Sequence, residues 1–93
     1  IILERVVEKK LKEEVEKRGG IYLKFVSPNN KGVPDRIIIW QAGRIDFVEL
    51  KKPKGGVVEP LQKWWQDELQ NRGCRACVIT DLEDIKQYLQ TVS

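Results

Sequence analysis

Ninety-three residues, 41% hydrophobic and 33% charged, predict one small soluble domain over residues 1–93 and argue against a disordered chain. The net charge of +3 is uneven: from Lys17 to Lys54 nine Lys/Arg stand against three acids, Asp35, Asp46 and Glu49. Basic residues around an acidic centre suit a polyanion that must approach a metal; no apolar run is long enough to cross a membrane, and no signal-peptide pattern is present.

Residues 2–18 read as a helix, with Leu3, Val7, Leu11 and Val15 recurring every four positions before Gly19-Gly20. Ile21 to Val26 alternates as a strand, and Ser27 to Pro34 is a loop rich in Pro, Asn and Gly. Two apolar runs, Ile37 to Trp40 and Ile45 to Leu50, flank Gln41-Ala42-Gly43-Arg44 and read as a hairpin. After the basic stretch Lys52-Pro53-Lys54-Gly55-Gly56, a second helix is expected over 60–72, with Pro60 in its first turn and Leu61, Trp64, Trp65 and Leu69 as its apolar side. Trp64 and Trp65 are therefore expected in the core rather than as stacking platforms for bases. A strand over 75–80 follows, then a helix to about Gln90 opened by a capping box of Thr80 and Glu83. The order is α-β-β-β-α-β-α. The 45–51 strand, the second helix and the 75–80 strand form a right-handed crossover, so the sheet is mixed and flanked by helices.

Cys74 and Cys77 form a C-x-x-C, but the chain has no histidine to complete a zinc site, and residues three apart at a strand start face opposite ways. Buried, inert, reduced thiols are expected, which points to a cytoplasmic protein.

The chemistry concentrates on the hairpin. If its loop is Gln41, Ala42 and Gly43, with glycine left-handed, Trp40 pairs with Arg44. Counting outward sets Asp35 across from Glu49, with Lys51 pointing the same way. A two-residue turn would instead put the acids on opposite faces. Two carboxylates and a backbone carbonyl, that of Leu50, can hold Mg2+, and Lys51 can orient a water or stabilise a pentavalent phosphorane-like charge. The competing reading is that Asp35, Glu49 and Lys51 are exposed strand-end residues in ordinary surface ion pairs. Glu4 lies within about 20° of Leu11 and Val15 on a helical wheel, so it is a further site candidate, with Glu8 round the side. Gln62 could contact the lysine or a phosphate. Lys24, Lys31, Arg36, Lys52 and Lys54 could grip backbone phosphates without reading sequence.

Glu4 on the first helix, Lys24 after Gly19-Gly20, Gly32-Val33-Pro34-Asp35, Glu49-Leu50-Lys51, and Leu61-Gln62 before a Trp-containing helix together resemble the virus-type replication-repair nuclease (VRR-NUC) domain. That domain belongs to the PD-(D/E)XK superfamily, and the resemblance runs from Glu4 to the final helix. It implies a restriction-endonuclease-like α/β core and a nuclease dependent on Mg2+ (or Mn2+), with Asp35 and Glu49 as metal ligands, Lys51 as the catalytic lysine and Glu4 and Gln62 in support. It also implies kinship with Holliday-junction resolvases: branched DNA such as a four-way junction as partner, a homodimer, and DNA repair in a bacterial or phage-infected cell. The competing class is a catalytically silent nuclease-like module that only binds DNA or protein. A third reading, a thiol-disulfide protein, rests on Cys74 and Cys77.

Overall fold

The computed structural model describes residues 3–53 and 55–92. Helix α1 (Glu4–Lys17) buries Val7, Leu11 and Val15 completely, as expected, but Leu3, the first residue of the expected stripe, precedes the helix and is 46% exposed. It stops where the Gly19 and Gly20 N–H groups fold back onto the Glu16 and Val15 carbonyls. Strands β1 (Ile21–Lys24), β2 (Arg36–Ile39), β3 (Ile45–Leu50) and β4 (Arg75–Ile79) lie side by side in that order. The first three are antiparallel neighbours, and β4 joins β3 in parallel through α2 (Pro60–Asn71), so the sheet is mixed. Helix α3 (Leu82–Gln90) completes the chain. This is the α/β architecture of the restriction-endonuclease-like fold.

The β2–β3 turn decides everything downstream. The Trp40 N–H donates to the Arg44 carbonyl at 2.8 Å, closing a three-residue loop with both Ala42 (φ 63°) and Gly43 (φ 79°) left-handed. Gly43 meets that conformation without strain, whereas Ala42 holds it against its own Cβ. The register that follows is Ile39 opposite Ile45 through Arg36 opposite Val48.

The two sheet faces are unequal. One packs Ile38, Val48, Leu50 and Ile79 against Val7, Leu11 and Val15 of α1 and Ile85 and Tyr88 of α3 as a single core. Within it lies Asp46, 1% exposed, whose carboxylate accepts from Trp40 Nε1 (3.1 Å), Arg44 Nε (3.1 Å), Arg75 Nε (3.0 Å) and the Tyr88 hydroxyl. Burying that acid is tolerable only because every oxygen is paired. On the opposite face α2 covers β4, while Ile21, Leu23 and Ile45 on β1 and β3 stay about half exposed.

Two local expectations change. The capping box of α3 sits one residue later than Thr80–Glu83: Asp81 is the N-cap, accepting from the Asp84 N–H at 2.8 Å, and Asp84 answers to the Asp81 N–H. Asp84 wins over Glu83 because its carboxylate also takes the Thr80 N–H and hydroxyl. The core placement of Trp64 also fails, since it is 50% exposed. Its neighbours on the inner face, Trp65 and Gln66, turn inward instead.

Removing the Asp46 carboxylate is expected to leave four donors facing a cavity. Asp46→Ala should cost roughly 3–5 kcal/mol of the 5–15 kcal/mol typical of a domain, read as a lower urea midpoint. Asp46→Asn should cost less.

Candidate active site

The register carries Asp35 to a position opposite Glu49, one step beyond the last β2–β3 pair. The backbone confirms their proximity from both sides. The Asp35 N–H donates to Glu49 Oε2 at 3.3 Å, and the Leu50 N–H donates to Asp35 Oδ1 at 3.2 Å. Each acid is thus held by the other's strand. Glu49 is 4% exposed, whereas the Asp35 side chain is 39% exposed, so one acid floors the site and the other forms its rim. Burial, and then the charge of Asp35, push the Glu49 carboxyl up to about 7, with the Lys51 ammonium pulling the other way. Lys51, just past the end of β3, is half-buried, its backbone N–H donates to the Ile79 carbonyl, and its charge acts on Glu49.

The approach of the loop to Asp35 is constrained as well. Gly32 has φ 88°, and a Cβ there would come within 2.9 Å of the Leu61 backbone. No other residue type lets the chain pass so close to the first turn of α2. Pro34, fully buried, then seats Asp35.

Arg36 behaves differently from the phosphate-gripping cation expected of it. Its side chain is only 12% exposed. Its Nε meets Glu8 Oε2 (2.7 Å) and the Tyr22 hydroxyl (2.9 Å), another guanidinium nitrogen pairs with Glu8, and Nη1 reaches the Asp35 carbonyl (2.9 Å) and carboxylate (3.3 Å). It is a clamp between α1 and the site. Burial works to raise Glu8, but the hydrogen bond and charge of Arg36 outweigh it and hold that carboxyl below its usual range. Glu8, not Glu4, is therefore the α1 acid joined to the pair, through Arg36. The reach of an arginine from the neighbouring strand was not deducible from a helical wheel. The signal available was an apolar-face acid facing a strand arginine.

The remaining candidates scatter. Glu4 opens α1, partly exposed, and among the described contacts reaches neither acid. The Gln62 amide oxygen accepts from the Glu59 N–H at 2.9 Å, so it closes the α2 cap in this structure. Lys24, at the end of β1, lies near Glu8. Lys31, on the loop before β2, and Lys52, on the loop before α2, are exposed, and Lys54 lies outside the described residues. Among the described residues no group of three or more acidic, cysteine or histidine side chains is placed to hold a metal ion. The acid pair with one backbone carbonyl is the available donor set. A recess of about 580 Å³ elsewhere, bounded by Asp46, Cys77 and Tyr88, offers little chemistry: the Asp46 oxygens are engaged, and burial pushes the Cys77 thiol up to about 11. Both cysteines are free.

Comparison with known proteins agrees with the fold. The sequence profile described as the VRR-NUC domain matches residues 3–80. A protein named "Putative nuclease p44", from Acyrthosiphon pisum secondary endosymbiont phage 1, is 41% identical over 93 residues, which span all of this chain and 98% of the relative. Among solved structures, one VRR_NUC domain superposes with a TM-score of 0.89 at 28% identity, covering 97% of both chains. A VRR_NUC domain protein superposes at 0.76 with 18% identity, covering 98% of this chain and 88% of the other, a likeness of fold. A profile match across most of the chain, joined to a relative aligned end to end, places this protein in the VRR-NUC domain family.

Proposed function

We propose that this chain is a divalent-cation-dependent endonuclease that hydrolyses phosphodiester bonds in branched DNA such as four-way junctions, acting as a homodimer. The observation that carries the reading is the interlock of Asp35 and Glu49, with the charge of Lys51 acting on Glu49. A buried acid raised to about 7, first by burial and then by the charge of Asp35, would gain from a cation at the pair. The donor set also fits. Mg2+ or Mn2+ takes hard oxygens and is content with one or two carboxylates plus substrate oxygens. Asp35 and Glu49 would hold the ion. Leu50 would add its carbonyl, because a strand residue's N–H and C=O point to the same edge and the Leu50 N–H already points at Asp35. When bound, such an ion supplies charge neutralisation at the phosphate and a lower pKa for an attacking water.

The chain's own residues do the rest. Lys51 orients the nucleophile and counters the charge that grows on the phosphoryl oxygens. Arg36 keeps the Asp35 carboxylate aimed at Glu49. Lys24, Lys31, Lys52 and Lys54 hold flanking phosphates. Gln62, in the first turn of α2 beside the Gly32 loop, would support the site once released from its cap, and Glu4 would support it from the start of α1. The relative named a putative nuclease supports the enzymatic reading. Free thiols suit a reducing cytoplasm, that of a bacterial or phage-infected cell.

Asp35→Ala and Lys51→Ala are each expected to reduce Mg2+-dependent cleavage of a synthetic four-way junction by 100-fold or more (roughly, for loss of one charge-stabilising group) while gel-shift affinity is kept. Wild-type binding without cleavage in either metal would support a silent module instead.

The raised Glu49 carboxyl sets a pH dependence. A folded value above the ordinary 4.5 means that the metal-free fold has its full stability below 4.5 and loses part of it as pH rises through about 7. A cation must displace that proton, so Mn2+ affinity by calorimetry is expected to rise with pH to about 7 and level off, with proton release on binding below that point. Glu49→Gln should abolish the binding and raise metal-free stability at pH 8 by about 1–2 kcal/mol.

Ile21, Leu23 and Ile45, half exposed on one sheet face, supply the apolar surface a dimer needs. Leu23→Lys with Ile45→Glu is expected to convert a dimer to monomer by light scattering and to reduce paired cleavage of a junction. An unchanged mass would refute that interface.

A further inference from the structure

Trp64 is half exposed on α2, and nothing in the fold requires it there. It does not stand alone. Its indole meets Trp65 edge to face, with ring centroids 5.1 Å apart and planes at 86°. Trp65 is itself pinned, since its Nε1–H donates to the Lys31 carbonyl at 2.9 Å. The outer ring is thus braced by an inner ring fixed to the loop that leads to Asp35. Pro60, Leu61 (45% exposed) and Trp64 together line a shallow open recess of about 400 Å³. The Leu61 backbone abuts Gly32, three residues before Asp35. The apolar facet therefore shares a wall with the candidate active site.

Size and charge select its occupant. One indole, one leucine and one proline fall far short of the roughly 800 Å² per partner that a stable protein interface buries, but they match the face of a single base. An exposed cation, Lys31, stands on the loop whose carbonyl holds Trp65, while Lys63, next along the helix, is neutralised by Asp67 at 2.6 Å and Glu59, just before Pro60, is engaged in the α2 capping box. A flat apolar group carried on an anionic chain satisfies both conditions. We propose that Trp64, with Leu61 and Pro60, is a stacking platform for an unstacked nucleobase of the DNA strand held at Asp35 and Glu49, and that it favours branched or interrupted DNA over intact duplex. The inference rests on the endonuclease reading for its substrate. Base–aromatic stacking is tolerant of sequence because every base has a π-face, so the platform would read the exposure of a base and not its identity. Rigid bracing limits the ordering cost of binding.

The test uses Lys51→Ala protein, which leaves DNA uncut, and a duplex carrying 2-aminopurine either unpaired at a branch point or paired in linear DNA. Binding at the branch is expected to quench the 2-aminopurine emission. Adding Trp64→Ala should abolish the quench and weaken branched-DNA binding by roughly 10-fold or more, with linear-duplex affinity unchanged. Trp64→Phe should restore both. An unaltered thermal melt checks that the surface substitution leaves the fold intact. Equal branched-DNA affinity with and without Trp64 would overturn the proposal. So would an equal loss on linear duplex, or a Trp64→Ala protein whose only change is its mass in light scattering, which would make the patch a contact between copies. The two readings fail separately. A Trp64-dependent quench in a wild-type chain that cuts nothing sinks the endonuclease and keeps the platform, whereas normal junction cleavage by Trp64→Ala, with the quench intact, sinks the platform alone.

Discussion

Two carboxylates facing each other, one buried and one at the rim, repel, and that repulsion is the constraint around which this site is organised. Glu49 is almost fully buried, with the Asp35 charge against it. The arrangement survives because each acid is tethered by the other strand's backbone N–H and because Glu49 can take a proton. A protein selected for stability alone would gain by replacing either acid. Retaining both makes sense where a cation occupies the corner during function.

The sheet handles its charges differently on its two sides. On the α1/α3 side, Asp46 is matched by two arginines, an indole N–H and a phenol, so its oxygens are fully engaged and have no capacity left for a ligand. At the other corner Arg36 is divided among Glu8, Tyr22 and Asp35, which leaves Glu49 without a cation of its own apart from Lys51. One buried acid is therefore structural and the other is poised, and the difference lies in the count of donors around each. Arg36 also couples α1 to the site: a shift of that helix would pull on Asp35 through a single guanidinium.

Helix α2 meets the sheet with Gln66, which donates to the Cys77 carbonyl, holds the loop before β2 with Trp65, and turns Trp64 and Leu61 outward. Its first turn sits against Gly32, so the helix both walls the site and presents an apolar facet beside it.

Much of this was readable from the letters. Val7, Leu11 and Val15 announce the α1 stripe. Gly43 announces a three-residue turn, and from the turn alone the pairing of Asp35 with Glu49 follows, because strand geometry alternates strictly and leaves no freedom once the register is set. The crossover to β4 follows from the parallel requirement. Periodicity could not reveal which partners fill the third dimension. A helical wheel ranks Glu4 above Glu8, yet Glu8 reaches Arg36 because β1 and β2 bring Tyr22 and Arg36 beneath that turn of α1. Trp64 fits an apolar stripe on paper but faces outward, because α2 covers only the β4 side of the sheet. Gln62 looked free for the site but closes its own helix. Local order is set by short-range sterics and alternation, which neighbouring residues encode. The pairing of charges, caps and aromatic faces depends on distances between elements far apart in the chain, and only the packed fold decides those.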